Sequence, residues 1–247
     1  MVIAWVPRAS DRAPVEYICV SGSGQLHWSA TISSSTAQGT DKIIALRADD
    51  PLFWLERGRY LLLAERPTDA GRCFDQALDA APRDPVALNA RARTHLSLGE
   101  LDQALVLLEH ACSLDDGVAE LWNNRGVAQA RAGDLEGAMA SFERALVLDP
   151  HDASVLCNRA MALVGDGRHH QALDDLASSV QCDPDCITAW SVKGATHLRL
   201  GQLRMARHAF LQASSLAWSH GAPKRHGAAM TALAGAIGLV NRARGED

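Results

Sequence analysis

The side chains with the most potential for chemistry in this sequence are a cysteine pair, Cys182 and Cys186, and a histidine pair, His169 and His170. A zinc site needs four ligands in tetrahedral geometry, and the Cys-x-x-x-Cys spacing supplies only two of them. Two thiols in one loop can oxidise, or they are incidental. The sequence contains no nucleophile motif, phosphate-binding loop or dinucleotide fingerprint. We therefore predict no enzyme activity, no metal and no cofactor.

Net charge, cysteine count and the length of the apolar segments limit which partners and which compartment the sequence favours. The chain has 247 residues and a net charge of −5, which argues against nucleic acid or an anionic membrane as the main partner. Six cysteines without regular spacing indicate free thiols in a reducing compartment. The apolar start of the chain is too short for a signal peptide, and residues 228–240 are too short to span a bilayer. These features predict a cytoplasmic protein without membrane insertion.

The elements that must position any functional side chain repeat every 34 residues. Five repeats align without gaps, over residues 51–84, 85–118, 119–152, 153–186 and 187–220. Their eighth residue is small, their twentieth is alanine, and their twenty-fourth is phenylalanine or leucine. Positions four, seven, eight and eleven share one helix face, and positions twenty, twenty-four and twenty-seven share a face of a second helix. One such hairpin cannot bury its apolar face alone, so neighbours must stack.

The ends of the helices are also marked. Glycine at the fifteenth position of the last four repeats predicts a left-handed end to each first helix. The first repeat has Glu65-Arg66-Pro67 instead, and Pro67 suits the first turn of the second helix. His95 and His197 occupy the eleventh position of their repeats, where we expect packed and hydrogen-bonded histidines.

This pattern resembles the tetratricopeptide repeat, whose six signature positions all match in the repeat 119–152. The matching residues are Trp122, Gly126, Ala138, Phe142, Ala145 and Pro150. The resemblance implies an all-α fold, a right-handed superhelical solenoid of antiparallel helix pairs over residues 51–220. It further implies a protein-binding scaffold or adaptor.

Two flanking segments do not repeat. Residues 221–247 are predicted to form a C-terminal capping helix, with Pro223 in its first turn. In residues 1–50, two β-prone runs around "SGSG" predict a hairpin over residues 15–32, and "KIIALRADD" is expected to form the last turns of a helix. The hairpin packs on the first repeat, offers an edge strand to a partner, or belongs to a flexible tail.

The resemblance implies that first helices line a concave groove with positions two, five, nine, twelve and thirteen, and that position six lies at its margin. The groove cations are then Arg59, Arg93, Arg131 and Arg199. The anions are Glu56 and Glu120, so the groove carries a charge of about +2 and favours an acidic partner segment. The alternative is that these arginines are simply solvated.

The same surface carries four asparagines: Asn89, Asn123, Asn124 and Asn158. A carboxamide both donates and accepts hydrogen bonds, so a row of them can hold the backbone of an extended peptide. The alternative, equally favoured, is that Asn124 and Asn158 bond neighbouring helices within the stack.

The seventh position of every repeat is basic, and we call these residues the basic row: Arg57, Arg91, Arg125, Arg159 and Lys193. We expect a structural role, with the cations reaching acids at the junctions between repeats, such as Asp84, Asp149 and Asp183. No three repeats supply the lysine, asparagine and arginine set of a chaperone-type carboxylate clamp.

We therefore predict a partner that is another protein, bound through an acidic peptide segment in the concave groove, and not nucleic acid. The alternative is a structural component that self-associates through the hairpin or the solenoid ends.

Overall fold

The computed structural model describes residues 50–219 and 230–237 in full, together with the backbone of four short strands before them. The strands are β1 (Val2–Trp5), β2 (Tyr17–Val20), β3 (Leu26–Ser29) and β4 (Ile43–Leu46), in the sheet order β3-β2-β1-β4. β2 runs antiparallel to β3 and to β1. The pair β2 and β3 lies inside the segment predicted as a hairpin. What the side chains of this segment contact lies outside the described residues.

β4 corrects one prediction. Residues 43–46 form a strand parallel to β1, rather than the last turns of a helix. Two adjacent isoleucines favour an extended backbone. They pair with a strand at the other end of the segment, which the local pattern did not reveal.

Antiparallel helix pairs follow, one pair for each repeat. They are α1 (Pro51–Leu63), α2 (Pro67–Ala80), α3 (Pro85–Leu98), α4 (Leu101–Leu114), α5 (Ala119–Ala132), α6 (Leu135–Leu148), α7 (Ala153–Gly165), α8 (His169–Cys182), α9 (Ile187–Arg199) and α10 (Leu203–Ser219). The first helix of every pair begins at the first residue of its 34-residue repeat. The all-α repeat fold is confirmed.

The chain forms two compact bodies. The N-terminal body comprises residues 1–115 and contains α1 to α4, and the C-terminal body comprises residues 116–247 and contains the later helices. Within the bodies, successive pairs contact each other through α2 and α3, α6 and α7, and α8 and α9.

Short polar side chains and glycines set the helix ends. The carboxylates of Asp50, Asp84 and Asp152 each accept a bond from a backbone N–H two residues later, at 2.8–2.9 Å. Four turns place glycine in the left-handed region, and in the first repeat Glu65 takes the same conformation with φ 57°. The missing glycine therefore does not change the turn, although a side chain there is strained.

The core between paired helices depends on the match of the eighth and twenty-fourth positions. In repeats 1, 3 and 5, glycine faces a phenylalanine ring: Gly58 with Phe74, Gly126 with Phe142, and Gly194 with Phe210. Repeats 2 and 4 have alanine and leucine at these positions, all fully buried. Glycine thus faces the large phenylalanine ring, and the larger alanine accompanies leucine, which is smaller than phenylalanine. The core volume is maintained while its composition alternates.

Residues 230–237 form a further helix, α11, within the segment 221–247 predicted as a capping helix, and the rest of that segment lies outside the described residues. Ala234 and Ile237 are buried against Ala206 and Phe210 of the last repeat. The hydroxyls of Ser214 and Thr231 lie 2.6 Å apart, so α11 covers the final pair with both apolar and polar contacts.

Candidate functional site

One recess in the C-terminal body lies between the first helices α5 and α7, and we call it the α5–α7 groove. Its volume is about 580 Å³. Its lining consists of Val127, Ala130, Arg131, Gly133, Leu135, Phe142, Asn158, Met161, Ala162, Gly165 and Asp166. Apolar side chains from α5, α6 and α7 thus surround a space that is open to solvent.

The groove has an apolar floor and a few polar groups. Val127, Ala130 and Ala162 pack against the buried cluster that contains Phe142. Met161 is 40% exposed, so the floor presents a flexible apolar side chain to solvent. Arg131, Asn158 and Asp166 add hydrogen-bonding capacity. A recess of this kind suits an apolar side chain whose neighbours are polar.

The asparagines do not form one accessible row. The Asn158 amide donates to the Asn123 oxygen at 3.0 Å, which joins α7 to α5. Asn123 is only 8% exposed, and Asn89 in the N-terminal body is also buried, whereas Asn124 is half-buried. The bond between neighbouring helices, which was the alternative, is therefore present at Asn158. This bond uses one of four hydrogen-bonding positions of the Asn158 carboxamide, which also lines the groove.

The four predicted cations occupy different surroundings. Arg59 forms an exposed ion pair with Glu56 at 2.9 Å, and Arg199 donates to the Val164 carbonyl at 3.4 Å. Arg93 is exposed in the N-terminal body. Arg131 alone among these four lines the described α5–α7 groove, where Asp166 supplies an opposite charge. The predicted charge of +2 is therefore not a property of this recess.

The basic row divides into two kinds of contact. In repeats 1, 3 and 5, whose fourth residue is tryptophan, the cation lies over that ring. The cation lies 5.7 Å from the Trp54 centroid for Arg57, 5.4 Å from the Trp122 centroid for Arg125, and 5.2 Å from the Trp190 centroid for Lys193. Positions four and seven are about one helical turn apart. A tryptophan three residues before a cation in the sequence could therefore have predicted this cation–ring contact.

In repeats 2 and 4, whose fourth residue is leucine, the arginine pairs with an acid of a second helix. Arg91 donates to Asp75 at 2.6 Å, and Arg159 makes two bonds to Asp175 at 2.6 and 2.7 Å. The Asp175 bonds raise the pKa of Arg159 above its ordinary value, so this cation stays charged. These contacts all lie within the chain, which is what the predicted structural role requires; that role stays a prediction.

The expected acid partners were wrong for these two arginines. Asp84, Asp149 and Asp183 at the junctions accept bonds from backbone N–H groups two residues later, at 2.9, 3.1 and 3.0 Å. A short aspartate side chain reaches its own turn more easily than it reaches the next helix.

The eleventh position shows a further polar device. His95 Nδ1 lies 2.6 Å from Glu100, and the buried His197 Nδ1 lies 2.6 Å from Gln202. The two histidines are packed and hydrogen-bonded across the turn, as predicted from their position.

Residues 50–219 and 230–237 contain no group of three or more histidine, cysteine or acidic residues arranged to hold a metal ion. No helix in these ranges combines the length and the apolar character that crossing a bilayer requires.

Comparisons with known proteins agree with this architecture. The family model described as "Tetratricopeptide repeat" matches residues 42–85, 55–117 and 89–153. No curated protein sequence matches the chain.

Several solved structures share the fold. A chain of the APC/C hetero-tetramer Cut9–Hcn1 is 17% identical with a TM-score of 0.65, and the alignment covers 76% of this chain and 40% of that one. The thermophilic TPR protein TTC0263 of Thermus thermophilus is 22% identical with a TM-score of 0.66, over 76% of this chain and 99% of that one. PilW, a type IV pilus biogenesis factor, is 21% identical with a TM-score of 0.62, over 78% and 92%.

The family match ends at residue 153, but the later repeats keep the same architecture. Repeats 4 and 5 retain the small eighth residue, the buried alanine at position twenty and the glycine in the turn. Proteins with these repeats generally mediate protein–protein interactions and are generally not enzymes. Residues 42–153 therefore match the tetratricopeptide repeat family, and the later helix pairs continue the same fold.

Proposed function

We propose that this chain is a non-enzymatic scaffold or adaptor and that the α5–α7 groove anchors a segment of a partner protein. The observation that carries the proposal is the apolar recess with exposed Met161 on its floor and polar groups around it. Methionine is flexible and polarizable, which suits a surface that adapts to an inserted side chain.

The groove favours a partner segment with an apolar anchor. Removing one such side chain from water contributes about 1.5–3 kcal/mol, more than an exposed ion pair usually contributes. An acidic partner residue placed next to the anchor on the Arg131 side adds an electrostatic attraction. Because Asp166 also lines the groove, an acid on the other side is repelled. The partner segment should therefore carry its acidic residue on the Arg131 side of the anchor and not on the Asp166 side.

Asn158 supports the same mode of binding. Its carboxamide lines the groove, and the bond to Asn123 fixes its orientation. A fixed carboxamide holds a partner peptide group without reading its side chain. The segment is therefore bound in an extended form near α7.

The protein works in the cytoplasm under this proposal. Cys157, Cys182 and Cys186 are free thiols, and Cys182 is exposed. Free thiols persist in compartments that glutathione and thioredoxin keep reduced.

The decisive experiment identifies the partner by crosslinking and pull-down and then measures its affinity for two variants. Met161→Glu places a charge on the groove floor, and we expect affinity to fall at least tenfold. Val147→Glu is the matched control, because Val147 is 70% exposed on α6 and does not line the groove. We expect the control to bind like the parent.

Equal affinity of both folded variants and the parent would show that this groove is not the site. Light scattering at several concentrations tests the alternative of self-association. A mass that rises with concentration, without any partner bound by the groove, would favour the structural role.

A further inference from the structure

Cys157 and Cys186 meet where α7 lies beside the start of α9. Cys157 is buried, and Cys186 is half-buried and packs against the apolar cluster that contains Cys157. The two thiols are hydrogen-bonded to each other. Cys182 is exposed, with its sulfur 4.0 Å from Nδ1 of His151. Folding therefore pairs Cys186 with Cys157 rather than with Cys182, its neighbour in sequence.

The position of Cys186 favours a thiolate. It is the N-cap residue of α9, and its sulfur accepts a bond from the Ala189 N–H at 3.4 Å. The helix N-terminus carries partial positive charge, which stabilises an anion there. The neighbouring Cys157 thiol holds a proton that it can donate to the Cys186 sulfur.

The balance of interactions gives the same assignment. The hydrogen bond from Cys157 lowers the pKa of Cys186 to about 6, with help from the Ala189 and Thr188 backbone, while burial and Asp183 oppose the change. The same hydrogen bond and burial raise the pKa of Cys157. Near neutral pH, Cys186 is the nucleophile and Cys157 keeps its proton.

We propose that Cys157 and Cys186 form a peroxide-oxidisable dithiol, a modification site that links α7 to the N-cap of α9, the first helix of repeat 5. The Cys186 thiolate attacks one oxygen of hydrogen peroxide, the O–O bond breaks, and the released hydroxide takes a proton to leave as water. Cys186 is then a sulfenic acid. The Cys157 sulfur loses its proton, attacks the Cys186 sulfur and displaces a second water. Two thiols are oxidised to a disulfide, and one peroxide is reduced to two waters.

The crosslink ties α7 to the N-terminus of α9. The disulfide restricts the conformations of the unfolded chain between the two cysteines. We therefore expect the oxidised protein to unfold at a higher temperature than the reduced protein. Reductants reverse the change because the product is a disulfide and not a higher oxide.

The test treats the reduced full chain with hydrogen peroxide and maps the product by mass spectrometry. Trypsin releases Cys157 in residues 145–159, whereas Cys182 and Cys186 share residues 169–193. A second digestion on the N-terminal side of aspartate separates Cys182 from Cys186, because Asp183 and Asp185 lie between them. We expect one disulfide that joins Cys157 to Cys186, reversed by dithiothreitol.

Three variants make the result specific. Cys186→Ser keeps a hydroxyl for the helix cap, and Cys157→Ala keeps a small buried side chain, so we expect both to fold and neither to form the disulfide. Cys182→Ser is the matched control and should form it at the rate of the parent. Alkylation of Cys186 should be half-maximal near pH 6 and should shift to higher pH in Cys157→Ala, since the hydrogen bond is lost.

A disulfide that joins Cys182 to either cysteine, or retention of both thiols after peroxide treatment, would overturn the proposal. So would an alkylation midpoint of Cys186 that does not move in Cys157→Ala.

Discussion

At the residue scale, contacts inside this protein follow the alternation of odd and even repeats. An odd repeat combines tryptophan at position four, a cation over that ring at position seven, and a glycine that faces phenylalanine. An even repeat combines leucine, an arginine bonded to an aspartate, and alanine with leucine. Each side chain therefore suits its immediate neighbour, and a single replacement disturbs a matched pair.

The match between Gly126 and Phe142 gives a double-mutant prediction. An added Cβ at Gly126 lies 2.7 Å from the Phe142 ring, so Gly126→Ala should lower the free energy of unfolding by about 1–3 kcal/mol. Phe142→Leu should lower it by about 1–2 kcal/mol through lost packing. The double variant copies an even repeat, and we expect a favourable coupling of about 1 kcal/mol in denaturant unfolding. Strict additivity of the two effects would show that the pair is not matched.

At the element scale, the turns between paired helices depend on one left-handed residue. Four repeats use glycine, and the first uses Glu65 with φ 57°. The turn geometry therefore survives the replacement, because Pro67 starts α2 and the hydrogen bonds that end α1 are retained. The cost is local strain in one residue.

The left-handed conformation at these turns predicts that Glu65→Gly and Gly99→Ala change the free energy of unfolding in opposite directions. Glu65→Gly should raise the free energy of unfolding by about 0.5 kcal/mol, because it relieves a left-handed side chain although it frees the unfolded chain. Gly99→Ala, at φ 80°, should lower it by about 1 kcal/mol, since nothing lies within 4 Å of the added carbon and only the backbone cost acts. Urea unfolding of the two variants and the parent measures both changes in the free energy of unfolding. A loss of stability in Glu65→Gly would mean that the Glu65 side chain stabilises the turn.

At the scale of the whole molecule, a repeat stack must cover its last apolar face. In this chain α11 does so, with Ile237 in the same cluster as Phe210. An uncovered end would show an apolar patch of the kind that promotes association.

A charge in that cluster tests the capping role. Ile237→Asp should lower the free energy of unfolding by about 2–4 kcal/mol and increase the binding of a hydrophobic dye, because the carboxylate is excluded from the cluster. Leu233→Asp is the control, since Leu233 is 43% exposed on the same helix. Calorimetry and dye fluorescence supply the two readouts. If the two variants behave alike, α11 does not stabilise the end of the stack.

The amino-acid sequence by itself determined the helices, their starts and their turns. Small, apolar and glycine residues recur at fixed positions, and helical periodicity converts these positions into faces and ends within a few residues. This is why Ala119 and Ala153 begin helices as the alignment predicts, and why the packed histidines were recognised. The strand at residues 43–46 was missed because its partner β1 lies about forty residues away.

Only the tertiary structure decided which side chains meet. Hydrogen bonds join Asn158 to Asn123, Arg159 to Asp175, and the thiol of Cys157 to that of Cys186. Each pair connects two helices, or a helix and the N-cap of another. The candidate groove likewise combines residues of α5, α6 and α7, so its charge does not follow from a count along the first helices. Periodicity places a residue on a face, but the offset between packed helices selects its partner, and that offset depends on the volumes of all the side chains between them.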